Sequence, residues 1–159
     1  MPSLPLVPRP FLSLALLGFA LSAVLHAMAL LGLALPPLVY LPLHMGVFVV
    51  WGVALLLLLP QIKQMAPQGV MRQFLHIALR DSPRWMRWVL GALALYAVVN
   101  FGFIMWPQVV APRNAPPLRP AGSDNNDILR FFSGQWMLFY ALGYATLDSY
   151  LRSDRKTSR

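Results

Sequence analysis

The run FLSLALLGFALSAVLHAMALLGLAL occupies residues 11–35 and carries no formal charge. At a helical rise of ~1.5 Å per residue it is long enough to cross a hydrocarbon core of ~30 Å. A secretory signal peptide is the rival reading. Arg9 would supply the basic n-region, and the AMA pattern, with small residues at Ala27 and Ala29, imitates a cleavage site. The apolar stretch continues beyond that point, however, and exceeds the ~7–15 residues of an h-region. The expectation is therefore a retained membrane span.

Three more runs repeat the pattern. Residues 38–59 stop at Pro60, residues 85–106 follow a DSP turn, and residues 128–147 follow Asp124 and Asp127. Asp81 or Ser82 is a cap candidate for the third run, with Pro83 in its first turn. The turn PPLVYLP is short, so the first two runs should form an antiparallel hairpin. The fold class expected is all-α: a polytopic transmembrane four-helix bundle with spans at roughly 11–35, 38–59, 85–106 and 128–147. Composition agrees, because 58% of the residues are hydrophobic against ~45–50% in soluble domains.

The charges give a direction. Lys63, Arg72, Arg80, Arg84 and Arg87 lie between the second and third runs. Arg152, Arg155, Lys156 and Arg159 lie in a basic tail at 148–159, and Arg9 precedes the first run. The Pro-rich loop at 107–126 holds Arg113 and Arg119 within a longer stretch. Basic residues mark the cytoplasmic side, so both termini are expected there. Trp85 and Trp88 should mark the inner interface, and Tyr40 and Trp106 the outer one. Within the inner loop, residues 68–80 place apolar side chains at helical spacing, which predicts a short cytoplasmic interfacial helix. The net charge of +8 owes as much to the absence of Glu as to abundant bases. Those bases adjoin apolar runs rather than forming a basic face, so the expected partner is the lipid bilayer and not nucleic acid. Arg72, Arg80, Arg84 and Arg87 are the candidates for lipid headgroups.

Chemistry has few places to reside. The chain has no Cys, which removes disulfides, thiolate metal sites and thiol nucleophiles. It has no GxSxG, HExxH or P-loop pattern and no acidic pair within a run. No catalytic residue, metal or cofactor is expected. Each run does carry a hydrogen-bonding side chain in its outer half: His26, His44, Asn100 (with Tyr96 one turn before it) and Gln135. Such groups are costly in lipid, so they should turn towards protein, water or a ligand. Ala15, Ser22, His26 and Ala29 form one small and polar stripe on the first run; Gly134, Ala141 and Ala145 form another on the fourth. A bis-histidine haem from His26 and His44 is disfavoured by a depth offset of ~4–5 Å, and a metal site lacks a carboxylate partner.

The segments LPLHMGVFVVW and FSGQWMLFY resemble stretches of small bacterial four-span membrane proteins to which no activity is attached. The resemblance implies a bacterial inner membrane. The expectation is an integral membrane protein acting as a non-enzymatic accessory or scaffold component, with a membrane protein or a second copy as partner. The alternatives are a binder of a quinone or lipid in a cavity lined by His26, His44, Tyr96, Asn100 and Gln135, or an oligomeric channel or transporter.

Overall fold

The structure, a computed structural model, describes residues 8–33, 35–63, 70–110 and 125–157. Among them are five helices and no strand: α1 (Pro8–Leu30), α2 (Pro37–Ile62), α3 (Val70–Ala78), α4 (Arg84–Val110) and α5 (Asn125–Thr157). Three of these, α1, α2 and α4, are long and apolar enough to cross a membrane. Only 28%, 22% and 22% of their most apolar stretches is buried inside the protein. Leucines, valines and phenylalanines such as Leu17, Phe48, Leu56 and Val98 therefore face outward. A monomer in water does not leave apolar surface bare on that scale, so the outward faces of these helices suit lipid.

The fifth helix behaves in the opposite way. α5 runs for 33 residues, ~50 Å at the usual rise, and its composition does not meet the standard for a crossing that the other three meet. Yet it is the helix that α1, α2, α3 and α4 all touch. Phe139 is its one exposed large hydrophobic residue among those described. No Cα atom of α4 comes within 8 Å of α1 or of α2. The packing is thus a hub with α5 at its centre rather than four helices sharing one core. One apolar cluster joins α1, α2 and α5 through Ala15, Val50, Ala54, Trp136, Tyr140 and Leu147. A second joins α4 to α5 through Met86, Leu90 and Ala145.

Pairings along the axis fix the directions. His26 meets Ser133 while Gly18 meets Tyr140, so α1 and α5 are antiparallel. His44 meets Trp136 while Val50 meets Gly143, so α2 runs parallel to α5. Asn100 meets Arg130 while Met86 and Leu90 pack on Ala145, so α4 is antiparallel to α5. The turn between α1 and α2 is the expected reversal.

Helix ends depart from the expected limits for local reasons. α1 stops at Leu30 because Gly32 adopts φ +77°. The amide of Leu33 then bonds the Met28 carbonyl (2.9 Å) and the amide of Gly32 bonds that of Ala29 (3.1 Å). This is a Schellman cap, which a side chain with a Cβ would strain. α2 continues past Pro60 to Ile62, since a proline in the last turn removes one amide without blocking those beyond it. α5 extends through the stretch expected as a basic tail to Thr157, helped by the Arg152–Asp148 pair at i, i+4 (2.8 Å). The amphipathic segment forms a helix over Val70–Ala78. Most of the Pro-rich loop, residues 111–124, lies outside the described residues.

Tyr140 seats α5 against its neighbours. A Cβ at either Gly18 of α1 or Gly46 of α2 would collide with the Tyr140 side chain. Its ring therefore fills a notch that both glycines open, and its hydroxyl donates to the Leu43 carbonyl (2.6 Å). Tyr140 is 1% exposed. Gly18→Ala should lower the stability of purified protein by about 1–3 kcal/mol through overpacking. Combining it with Tyr140→Ala should cost less than the two separate losses added together, because the emptied notch accepts the methyl group. Thermal unfolding of the four species in one detergent measures this; strict additivity would show that the ring does not occupy the notch.

Candidate functional site

The five residues singled out from the sequence fall into two groups on different sides of α5. The first comprises His26, Tyr96 and Asn100, joined by Ser133 and Arg130. The second comprises His44 and Gln135 in an aromatic groove.

In the first group, small side chains bring the helices together. Gly134 lies under the cluster: a Cβ there would stand 3.0 Å from Asn100 Nδ2 and 3.5 Å from His26 Cε1. Ala15, Ser22 and Ala29, on the same stripe of α1 as His26, are all buried. Ser22 disposes of its own hydroxyl within the helix by donating to the Gly18 carbonyl (2.7 Å). His26 is 5% exposed and Asn100 2%. Ser133 donates its single hydroxyl hydrogen to the Leu129 carbonyl at 2.6 Å. Its oxygen is then left to accept from His26 Nδ1 at 2.9 Å. That assignment places the imidazole proton on Nδ1 and leaves Nε2 as acceptor for the Tyr96 hydroxyl. Neutral imidazole completes the chain without any further proton.

Asn100 clamps α4 to α5 from both sides of its amide. Its Nδ2 donates to the Arg130 carbonyl (3.3 Å), and its Oδ1 accepts from Arg130 Nε (3.2 Å). Arg130 spends this donor inside the protein. The sequence did hold a signal for its role: Arg130 and Ser133 lie three residues apart, on one helical face. Among the described residues, Asn126 Oδ1 is the buried side-chain polar atom left without a partner. The fully buried polar atoms of the first group are therefore all partnered within the fold.

The second group is open. His44 accepts from the Trp136 indole N–H through Nδ1 (3.2 Å). Indole nitrogen only donates, so neutral His44 carries its proton on Nε2. That Nε2 has no hydrogen-bond partner among the described residues, and neither has the Gln135 amide. Both residues line a groove of about 620 Å³ between α2, α4 and α5. Half of the chain's phenylalanines and tryptophans line it too. Phe132 stacks on Trp136 at 20° with centroids 5.8 Å apart, and Phe101 approaches Phe131 at 5.8 Å. Trp51 closes one side, donating from its indole to the Phe139 carbonyl (3.2 Å). The two histidines thus bond different parts of α5, at Ser133 and at Trp136. No three His, Asp or Glu side chains gather around a possible metal position among the described residues.

The basic residues divide as well. Arg87 donates to the carbonyls of Leu79 and Arg80, both at 2.9 Å, and so closes the turn after α3. Arg80 donates to Ser153 of α5 (2.6 Å) and lies 3.4 Å from Asp81. Arg84 is exposed and makes no bond within the described residues. The side chain of Arg72 lies outside them. Asp81 pairs with Lys156, and its amide accepts support from the Ser149 hydroxyl by donating to it (3.0 Å). Ser82, a cap candidate from sequence, instead donates to the Ala145 carbonyl (3.2 Å). These bonds tie the α3–α4 turn to the C-terminal part of α5.

No known protein family, curated protein or solved structure matches the chain.

Two outcomes follow. His26→Ala removes the bridge between α1, α4 and α5 and leaves Tyr96 without its acceptor. Unfolding in detergent should show a loss of about 1 kcal/mol, near the upper range for interhelical bonds in membranes; an unchanged midpoint would show that the bridge is not formed. The hydrogen bond from Lys156, with Arg80 beside it, holds the Asp81 carboxyl below its ordinary value of 3.8. A lowered folded-state pKa contributes stability above the unfolded value, and that stability is lost as pH falls through the folded one. Protease cleavage at the α3–α4 turn should therefore rise as pH drops below about 4. Asp81→Asn should give the faster cleavage at neutral pH, converge with the wild type in acid, and show no acid-dependent step from this turn.

Proposed function

We propose that this is an integral membrane protein of four crossings, non-enzymatic, working as an accessory or scaffold component through helix packing. α5 supplies the fourth crossing. Its buried serines need not meet acyl chains, because three apolar helices stand around it. The observation that carries the reading is the set of interhelical bonds through His26, Tyr96, Asn100, Ser133 and Arg130. Groups whose buried hydrogen-bonding atoms are spent between helices hold those helices together.

The orientation proposed has both termini and α3 on the cytoplasmic side of a bacterial inner membrane. It is supported by the gathering of Lys63, Arg80, Arg84, Arg87, Arg152, Arg155 and Lys156 around the end where α2 and α5 finish and α4 begins. Arg84, exposed beside Trp85 and Trp88, is placed to meet anionic headgroups there. α3 packs beside α2 on that half of the protein, with its Phe74 against Trp51 (centroids 6.2 Å apart). The outward apolar faces of α1, α2 and α4 are where a membrane partner or a second copy would pack.

The absence of Cys makes the test direct. Single cysteines are introduced as Lys63→Cys, Asn114→Cys and Ser158→Cys and treated with a membrane-impermeant maleimide. Asn114→Cys should react in intact cells with an opened outer membrane, and the other two only after the inner membrane is breached. Reaction of all three together, or of positions 63 and 158 from opposite sides, would overturn the four-crossing arrangement.

A further inference from the structure

We propose that the groove between α2, α4 and α5 binds a flat, carbonyl-bearing ring with an apolar tail, of the quinone class. This goes beyond the packing role above and requires only that α2 and α5 lie in lipid. The argument starts from two polar groups. The Nε2–H of His44 and the amide of Gln135 have no partner among the described residues, and both residues line the groove. Left against acyl chains, each would lose its hydrogen bonding at a cost of about 1–3 kcal/mol. A guest offering acceptors would recover that loss.

The walls define the rest of the guest. Phe48, Phe101, Phe131, Phe132 and Phe139 line the groove together with Trp51 and Trp136. Aromatic faces favour a planar ring in offset or edge contact, whereas a saturated chain gains nothing special from them. The tautomer of His44 decides the polarity. With Nδ1 accepting from Trp136, the free nitrogen is a donor, and the Gln135 amide supplies a second donor. The two donors suit a ring with two carbonyl oxygens, with the Gln135 Oε1 left as an acceptor. A volume of about 620 Å³ falls within the ~300–1,000 Å³ of small-molecule sites. It admits a substituted ring and the first part of a tail. The remainder of the tail would leave through the open side into lipid. Binding here involves no bond making or electron transfer.

The test uses full-length protein in nanodiscs of a saturated phosphatidylcholine, with 2,3-dimethoxy-5-methyl-6-decyl-1,4-benzoquinone as probe. Trp85, Trp88 and Trp106, all exposed, are replaced by Phe so that Trp51 and Trp136 report from the groove. Quenching of their fluorescence should saturate with added quinone. Gln135→Leu removes a group that bonds nothing in the fold, so folding is preserved. His44→Asn keeps an acceptor where Nδ1 stood and removes the Nε2 donor. Each should weaken the apparent affinity about three- to tenfold, the equivalent of one hydrogen bond, and n-decanol should not compete. Quenching that rises linearly and equally in all variants would mean partition into lipid and would overturn the proposal. Displacement by n-decanol at equal concentration would mean that the groove takes an acyl chain, and would overturn it too.

Discussion

The approach of three helices at Tyr140 is the constraint on which the remaining packing depends. A phenol ring needs room that two ordinary helix faces do not leave. Gly18 and Gly46 supply it from opposite partners, and the hydroxyl then reaches the Leu43 carbonyl. In lipid there is little hydrophobic gain from bringing apolar helices together, so close fit and hydrogen bonds must supply the attraction. The seated ring does both at one point. With α1 and α2 drawn in against α5, His26 is carried to Ser133 and His44 to Trp136.

The two histidines then differ because of what α5 offers each. Opposite His26 stands a serine whose hydrogen is already committed to its own helix. The imidazole must donate there and accept from Tyr96. Opposite His44 stands an indole that can only donate, and no second group meets the other nitrogen. His26 is buried and His44 half-buried, but burial does not assign their roles. The hydrogen-bond inventory of the facing helix does, and it makes one histidine a structural bridge and the other a lining group of a groove.

Much of this was legible in the chain. The stripe of Ala15, Ser22, His26 and Ala29 reads directly from helical spacing, and those side chains are buried together. The apolar runs near residues 11–35, 38–59 and 85–106 reappear as the three helices fit to cross a membrane. The pairing of Asp148 with Arg152 follows from i, i+4 spacing. The hub was not legible. Helical periodicity tells which way a side chain points relative to its own axis, but not which neighbour stands there. His26, His44, Asn100 and Gln135 therefore read as one cluster, while the fold divides them between two sides of α5. Gly32 was hidden for a related reason: inside a run of leucines and alanines, nothing local marks the one residue that must take a positive φ.

The groove follows from the way α4 is fastened. Towards its C-terminal end, Asn100 grips both the carbonyl and the side chain of Arg130. At its start, Ser82 bonds the Ala145 carbonyl, and Met86 and Leu90 pack on Ala145. Both attachments are to α5, through small or polar residues that permit close approach. Towards α2 the described residues make no such pairing, and between the two helices α5 presents Phe131, Phe132 and Phe139 beside Gln135 and Trp136. Adjacent Phe131 and Phe132 stand edge to face at 79°, so their rings spread apart instead of filling one space. Bulky side chains on a helix already held at both ends act as spacers, and α2 and α4 remain separated. A core of leucines could collapse into that gap by changing rotamers. Rings stacked on Trp136 and braced by His44 resist collapse, which is why the space persists and why its two polar groups stay uncovered.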